Sequence, residues 1–260
     1  STPNIDRIAR HGVRFTHLYT YPFCTPTRCG LMTGRSPVRY GLIYSVIRPW
    51  SAYGLPRDEH TMAESFRSLG YQTAMVGKWH LGHAHRRMLP NARGFDHFYG
   101  FVNADIDCYR HTHMGGLDWQ RNGIGVREEG YSTDLMAAEA ERLIRGRDPG
   151  RPLFLYFAFN AVHTPIQAPE ELVRKYQHLE NPKRRVYAAM AESMDLAVGR
   201  VLRAVEQAGI AQNTLVMFLS DNGGATGPGG SNKPLRGAKG TVYEGGIRVP
   251  AAALWPGRLE

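Results

Sequence analysis

Two uninterrupted apolar runs, PLFLYFAFN at 152–160 and TLVMFLS at 214–220, place the tightest limit on the fold. Neither alternates, so each reads as a strand covered on both faces, and such strands belong to sheets with helices on either side. Helical patterns fill the intervals, at roughly 131–146, near 169–178 and over a long stretch near 184–208. Towards the start, Thr2 and Pro3 read as a helix N-cap and first turn, Ile5 and Ile8 as one apolar face, and Gly12 as the stop. VRFTHLYTY, YQTAMVG and the run at 249–255 read as further strands, and HTMAESFRSL and Pro26–Thr33 as further helices. The stretch of about 50 residues after His80 has little periodicity and reads as loop. Alternating helices and strands predict an α/β fold with a parallel or mixed sheet.

In such sheets, sites collect at the carboxyl ends of strands. Lys78 and His80 follow one predicted strand, His163 follows the next, and Asp221 and Asn222 follow a third. Each residue has a plain reading of its own. Asp221-Asn222-Gly223-Gly224 has the composition of a turn, and equally offers oxygen ligands to a hard cation such as calcium, which needs others besides. His80 and His163 read as ordinary strand-end histidines, and Lys239 as a surface lysine. Lys78 is harder to place that way, because a lysine directly after an apolar strand tends towards burial and then needs an anion. Three strand ends presenting polar groups together point to a site.

The net charge of +9 favours an anionic partner, and the scattered bases suit a small anion or polysaccharide better than nucleic acid. With 260 residues, 42% of them apolar, one large core is within reach and no transmembrane span or secretory leader is apparent. Three cysteines are too few for a disulfide scaffold, and none stands in CxxC spacing. Cys24 opens the stretch CTPTRCGLMTGR, with Arg28 one helical turn further on. A helix N-terminus and a cationic neighbour activate a thiol, as in a cysteine protease, a cysteine phosphatase or a modification site. The protease signature is absent around Cys24, and so is the tight phosphate loop of the phosphatases.

CTPTRCGLMTGR resembles the Cys-x-Pro-x-Arg signature of the type I sulfatases, of the alkaline-phosphatase-like superfamily. GKWHLG, AVHTP, SDNGG and RGAKGTVYEGGIRVP follow in that family's order, so the resemblance covers essentially the whole chain. GLIYSVIRPW, LPRDEHTM and MVGKWHLGH are most similar to the arylsulfatase B group, which acts on N-acetylgalactosamine 4-sulfate.

The resemblance implies a sulfuric ester hydrolase with a central, mostly parallel sheet. Cys24 would be oxidised by a formylglycine-generating enzyme to an aldehyde whose hydrate is the nucleophile, and would also ligate one calcium ion with Asp221 and Asn222. Arg28 would hold that group and balance its charge. Lys78, His163 and Lys239 would surround the sulfate, with His163 or a lysine protonating the leaving alcohol and His80 acting as the base that releases sulfate. The substrate would be an aryl sulfate or a sulfated glycosaminoglycan, with no nucleic-acid partner, in a lysosome, a periplasm or outside the cell. A phosphodiesterase or phosphonate hydrolase of the same superfamily, and a non-catalytic sulfated-glycan binder, are the rival readings.

The family's paired metal-binding aspartates end a strand before the first helix, and none of Asp6, Asp58 or Asp96 stands in a matching context. The expectation is therefore one sulfatase catalytic domain over 1–260, lacking that strand and the carboxyl-terminal subdomain, and binding calcium weakly by itself. The residues that read the sugar are expected within 101–130. Co-expression with a formylglycine-generating enzyme should convert Cys24 and leave Cys29 and Cys108 as thiols, since only Cys24 has Pro and Arg at the signature offsets. Peptide mass spectrometry decides this, and an unmodified Cys24 peptide would refute it.

Overall fold

The computed structural model describes residues 1–43 and 46–259; Tyr44 and Ser45, within the GLIYSVIRPW stretch, and Glu260 lie outside them. The chain forms two compact units, one of Ser1–Phe23 with Ile166–Glu260 and one of Cys24–Pro165.

The first unit begins with α1 (Pro3–Arg10) and β1 (Val13–Tyr19). The second contains α2 (Cys24–Thr33), α3 (Met62–Ser68), β2 (Gln72–Lys78), β3 (His97–Phe101), the short strands β4 (Thr112–His113), β5 (Gly116–Leu117), β6 (Gln120–Arg121) and β7 (Ile124–Gly125), then α4 (Ser132–Arg145) and β8 (Leu153–Ala158). The chain then returns to the first unit with α5 (Glu170–Lys175), α6 (Pro182–Gln207), β9 (Val216–Leu219), α7 (Glu244–Ile247) and β10 (Arg248–Leu254).

The sheet of the second unit has the order β7-β6-β3-β2-β8. β2 runs parallel to both β3 and β8, and β6 and β7 add an antiparallel hairpin. Adjacent residues of these strands point to opposite faces, so one sequence feeds two cores. Met75 and Phe98 join Cys29, Met32 and Ala63 on the face covered by α2 and α3, while Val76 and Tyr99 join Met136 of α4 and Trp119 on the other. In the first unit, β10 lies between β1 and β9 and is antiparallel to both. There α1 is anchored by Asp195 of α6, a buried carboxylate that accepts from the backbone amides of Asn4 (3.0 Å) and Ile5 (2.8 Å). Negative charge at a helix N-terminus is the favourable arrangement.

The α/β class holds, with three corrections. Strand β3, HFYGF, lies in the stretch that reads as loop. Leu153–Phe157 are only half-buried, because β8 ends its sheet and has a neighbour on one side. β9 also ends its sheet, with Met217 56% exposed, so the two runs that read as fully covered strands are sheet margins in their own units.

Glu139 of α4 ties the helix to the sheet. Its carboxylate is 5% exposed, lies 2.7 Å from the His97 ring nitrogen, and accepts from Arg121 of β6 and from Arg142. Burial alone would raise its pKa, but His97, Arg142 and Arg121 outweigh it and hold the carboxyl far below the usual range. A depressed carboxyl pKa contributes stability that is present above the unfolded value and disappears as pH falls towards the folded one. Glu139→Gln, which leaves these cations without their counter-charge, should cost roughly 3 kcal/mol at neutral pH. In urea titrations across pH, the advantage of the parent protein should be full at pH 5 and above and should shrink below about pH 4.3.

Candidate active site

In the second unit, α2 begins at Cys24, which is buried, and the helix geometry brings Arg28 to the same side one turn later. Arg28 is 6% exposed and donates to the Lys78 carbonyl at 2.8 Å and to the Tyr156 hydroxyl at 3.2 Å. The helix is thus fixed to the ends of β2 and β8. Thr25 makes a second attachment, donating to the His80 carbonyl (3.3 Å) and accepting from the Ile47 amide (3.2 Å).

The end of β2 is shaped by Gly77, at φ +103°, where a Cβ would lie 2.0 Å from the Ala158 carbonyl oxygen. Only glycine lets the neighbouring strand approach so closely. Lys78 follows, 2% exposed, and His80 comes two residues later, fully buried and in the left-handed region at φ +58°. A non-glycine residue held there is strained and needs surrounding structure to keep it in place. The His80 amide donates to the Val102 carbonyl at 3.2 Å, and its ring pairs through Nε2 with the Ile47 carbonyl at 2.9 Å. A carbonyl only accepts, so Nε2 carries the proton and Nδ1 is the acceptor of the neutral ring. Nδ1 is buried without a hydrogen-bond partner among the described residues. His163, half-buried after β8, pairs through Nδ1 with the Thr164 carbonyl at 2.8 Å.

Burial first, then the positive charge of Lys78, holds the His80 pKa well below 6.5; Arg28 and His163 act in the same direction. The backbone hydrogen bond to Ile47 opposes them. The other two thiols are quiet: burial pushes Cys29 up to about 12 and also raises Cys108.

In the first unit, Asp221 and Asn222 follow β9. Gly223 donates to the Gly246 carbonyl at 2.8 Å, and a Cβ on it would lie 1.9 Å from the Gly245 carbonyl oxygen, so the turn is pressed against the segment before β10. The buried Asn222 side chain donates through Nδ2 to the Gly223 carbonyl, while its Oδ1 has no hydrogen-bond partner among the described residues. Asn232 accepts from the Gly224 amide and donates to the Gly224 carbonyl, both at 2.8 Å, and the Lys239 amide reaches the same carbonyl at 3.3 Å. The loop bearing half-buried Lys239 therefore lies beside the Asp221-Asn222 turn.

The second unit thus collects Cys24, Arg28, Lys78, His80 and His163, and the first collects Asp221, Asn222 and Lys239. No group of three or more His, Cys, Asp or Glu side chains among the described residues is arranged to hold a metal. The orphaned, buried Asn222 Oδ1 beside a carboxylate is nevertheless the donor chemistry of a hard cation. Thr25, Tyr156 and Asn232 escape a reading of the sequence. Tyr156 had a signal, as the one hydroxyl in the apolar run LFLYFA; Thr25 occupies a variable position of the cysteine signature, and Asn232 had none.

Buried Lys78 and Arg28 at strand ends, with a thiol at a helix N-terminus, define an α/β protein in which cations gather beside a buried histidine. Comparison with known proteins gives the family. The sulfatase family model matches residues 1–260, and the chain belongs to the sulfatase family. It is 40% identical to arylsulfatase J of Mus musculus over 256 residues, 95% of this chain and 43% of that protein. It is 36% identical to N-acetylgalactosamine-6-sulfatase of Rattus norvegicus, covering 99% of this chain and 53% of that one. Among solved structures, Ps i-CgsB in complex with k-i-k-neocarrahexaose superposes with a TM-score of 0.94 at 34% identity, over 99% of this chain and 61% of its own. The chain thus spans about half the length of the curated relatives it matches. These relatives support the type I sulfatase assignment without singling out an arylsulfatase B group.

The His80 ring should titrate well below 6.5 when followed by nuclear magnetic resonance. Lys78→Met should move that midpoint upwards, though not to the free-imidazole value, because burial is the larger cause. A midpoint near 6.5 in the parent protein would refute the buried, cation-flanked environment.

Proposed function

We propose that this chain forms the sulfate-binding part of an enzyme that hydrolyses sulfate esters of sugars. One observation carries the reading: Lys78, a buried cation at the end of β2, stands with Arg28 and His163 around a buried histidine, next to the helix that begins at Cys24. Cations gathered out of water favour a bound anion, and preorganised charge of this kind is what a sulfuryl transfer uses.

In this reading Cys24, once oxidised to formylglycine and hydrated by water, supplies the nucleophilic oxygen from one hydroxyl of the hydrate. Lys78 and His163 hold the sulfate oxygens from the second unit, and the same role for Lys239 rests on the family resemblance alone. His163 pairs through Nδ1 with the Thr164 carbonyl, and in its doubly protonated, imidazolium form the ring would hand a proton from Nε2 to the departing alcohol. His80 offers Nδ1 as the acceptor for the proton released when sulfate leaves, and its depressed pKa keeps that atom unprotonated at neutral pH. Arg28 acts through position, fixing Lys78 and α2. Asp221 and the Asn222 carbonyl oxygen would hold calcium, which when bound supplies a Lewis acid for the sulfate oxygens. The substrate class is the sulfated glycan, by analogy with the N-acetylgalactosamine and the neocarrahexaose named for the relatives.

In the full-length protein, Lys78→Ala or Lys239→Ala should reduce turnover of an aryl sulfate on the order of 10²-fold or more. Parallel assays with an aryl phosphate separate sulfate from phosphate chemistry. Turnover at the parent rate in either variant removes that lysine from the site, and a preference for the phosphate ester overturns the sulfatase reading.

A further inference from the structure

Thr25 fills the variable place between Cys24 and Pro26, and so far its hydroxyl has served only to fasten α2. The side chain is fully buried. A hydroxyl has one proton to give and lone pairs to receive with, and both capacities are engaged here. The proton goes to the His80 carbonyl at 3.3 Å, and the oxygen accepts from the Ile47 amide at 3.2 Å. The His80 ring then reaches back from Nε2 to the Ile47 carbonyl at 2.9 Å. These hydrogen bonds close a circuit: Thr25 to the His80 main chain, the His80 side chain to Ile47, and Ile47 to Thr25.

Each bond of the circuit removes a different freedom. Held at its carbonyl, His80 keeps the left-handed backbone, at φ +58°, from which its ring departs. Ile47 belongs to no helix or strand, so no ladder places its carbonyl. Its side chain is buried in the core with Cys29 and Trp79, which anchors the residue without setting the direction of its backbone. The bond from its amide to Thr25 sets that direction and aims the carbonyl at the imidazole. A carbonyl aimed at Nε2 draws the proton there, and the neutral ring is left with Nδ1 bare. Nδ1 has no hydrogen-bond partner of its own among the described residues, so nothing at that end of the ring opposes a change of tautomer.

We infer that Thr25 is a positioning residue for His80: through the Ile47 backbone it fixes which imidazole nitrogen carries the proton and where the bare one points. Its chemical consequence rests on the proposed function, in which Nδ1 of His80 accepts the proton released with sulfate. The circuit itself stands apart from that reading and is measured apart from it. Its effect is carried by main chain 22 residues further along the sequence, so Thr25 acts on the ring without touching it.

The test follows the His80 ring nitrogens by nitrogen-15 nuclear magnetic resonance at pH 8, where free imidazoles are neutral, in the protein without turnover. The parent should show one tautomer, with a slowly exchanging proton on Nε2. In Thr25→Val, which keeps the shape and removes the hydroxyl, that proton should exchange roughly tenfold faster, the scale of one good hydrogen bond, and the ring signals should split or average between tautomers. Thr25→Ser, which restores the hydroxyl, should return the parent spectrum. A residue that only fills space predicts the reverse order, with valine harmless and serine disruptive. An unchanged His80 spectrum in the valine variant, or a parent ring protonated at Nδ1, overturns the inference. Should the valine variant misfold, hydrogen exchange in the parent decides. The Ile47 amide and the His80 Nε2 proton should be protected together, and a fast-exchanging Nε2 proton beside a protected amide overturns the circuit. In the full-length enzyme, aryl sulfate turnover per converted Cys24, counted by peptide mass spectrometry, should fall roughly tenfold in Thr25→Val and recover in Thr25→Ser. Turnover unmoved by a substitution that moves the ring overturns the part of Thr25 in catalysis. A parent enzyme inactive on sulfate esters whose His80 spectrum follows the circuit sinks only the hydrolase reading. An active one whose spectrum ignores the valine sinks only the role of Thr25.

Discussion

The Arg28 guanidinium is the contact on which the cation-rich end of the second unit depends. It joins the second turn of α2 to the last residue of β2 and to the Tyr156 hydroxyl of β8, so three elements that meet through apolar packing are also held in register by directed bonds. The guanidinium reaches both partners through Nη1, and charge-assisted bonds of this kind offset part of the cost of burying the group. Because one of those partners is the Lys78 carbonyl, the bond that orders the helix also fixes the backbone from which the Lys78 side chain leaves. The glycine before it makes the same point in steric terms, since β2 can press against β8 only where no Cβ intervenes.

Gathering Lys78, Arg28 and His163 around His80 works against folding taken by itself. All three lower the His80 pKa, which is another way of saying that a further positive charge there is unwelcome. A ligand bound by the folded state alone stabilises it by mass action, so the anion proposed above would offset the repulsion that lowers the His80 pKa. The strained backbone of His80 belongs to the same economy of structure: it is held by the Val102 carbonyl, the Ile47 carbonyl and Thr25, and it directs the ring to a position that a relaxed backbone would not reach.

How far these features could be read from the sequence depended on whether their cause was local. Helices α1, α2, α4 and α6 announce themselves through caps, periodicity and terminal glycines, and strand β2 through its apolar residues and its sudden ending in Lys78. β3 does not, because Gly100 interrupts a run of only five residues; yet Gly100 sits at φ +145° where a Cβ would lie 2.2 Å from the Gly77 carbonyl oxygen, so the residue that hides the strand is the one that lets it pair. The expected burial of β8 and β9 failed for a different reason, since an apolar run records a preference for cover and not the number of neighbouring strands. At the site, residue types gave the cations and the oxygen donors. Thr25, Tyr156 and the backbone carbonyls of Ile47 and Val102 could not be foreseen, because their importance lies in where the chain brings them.

Two kinds of polarity therefore stand side by side at the same strand ends. Around His80 the groups are cationic donors, and three residues further along the chain His83 keeps a buried ring nitrogen, Nδ1, as an acceptor. The difference arises from second partners and not from residue type: His80, His83 and His113 are the same side chain, and what each can offer follows from which nitrogen the protein has already engaged. His80 and His83 both spend Nε2 on a carbonyl, but Lys78 and Arg28 flank the first, whereas the second shares a cavity with Asn103 and His113.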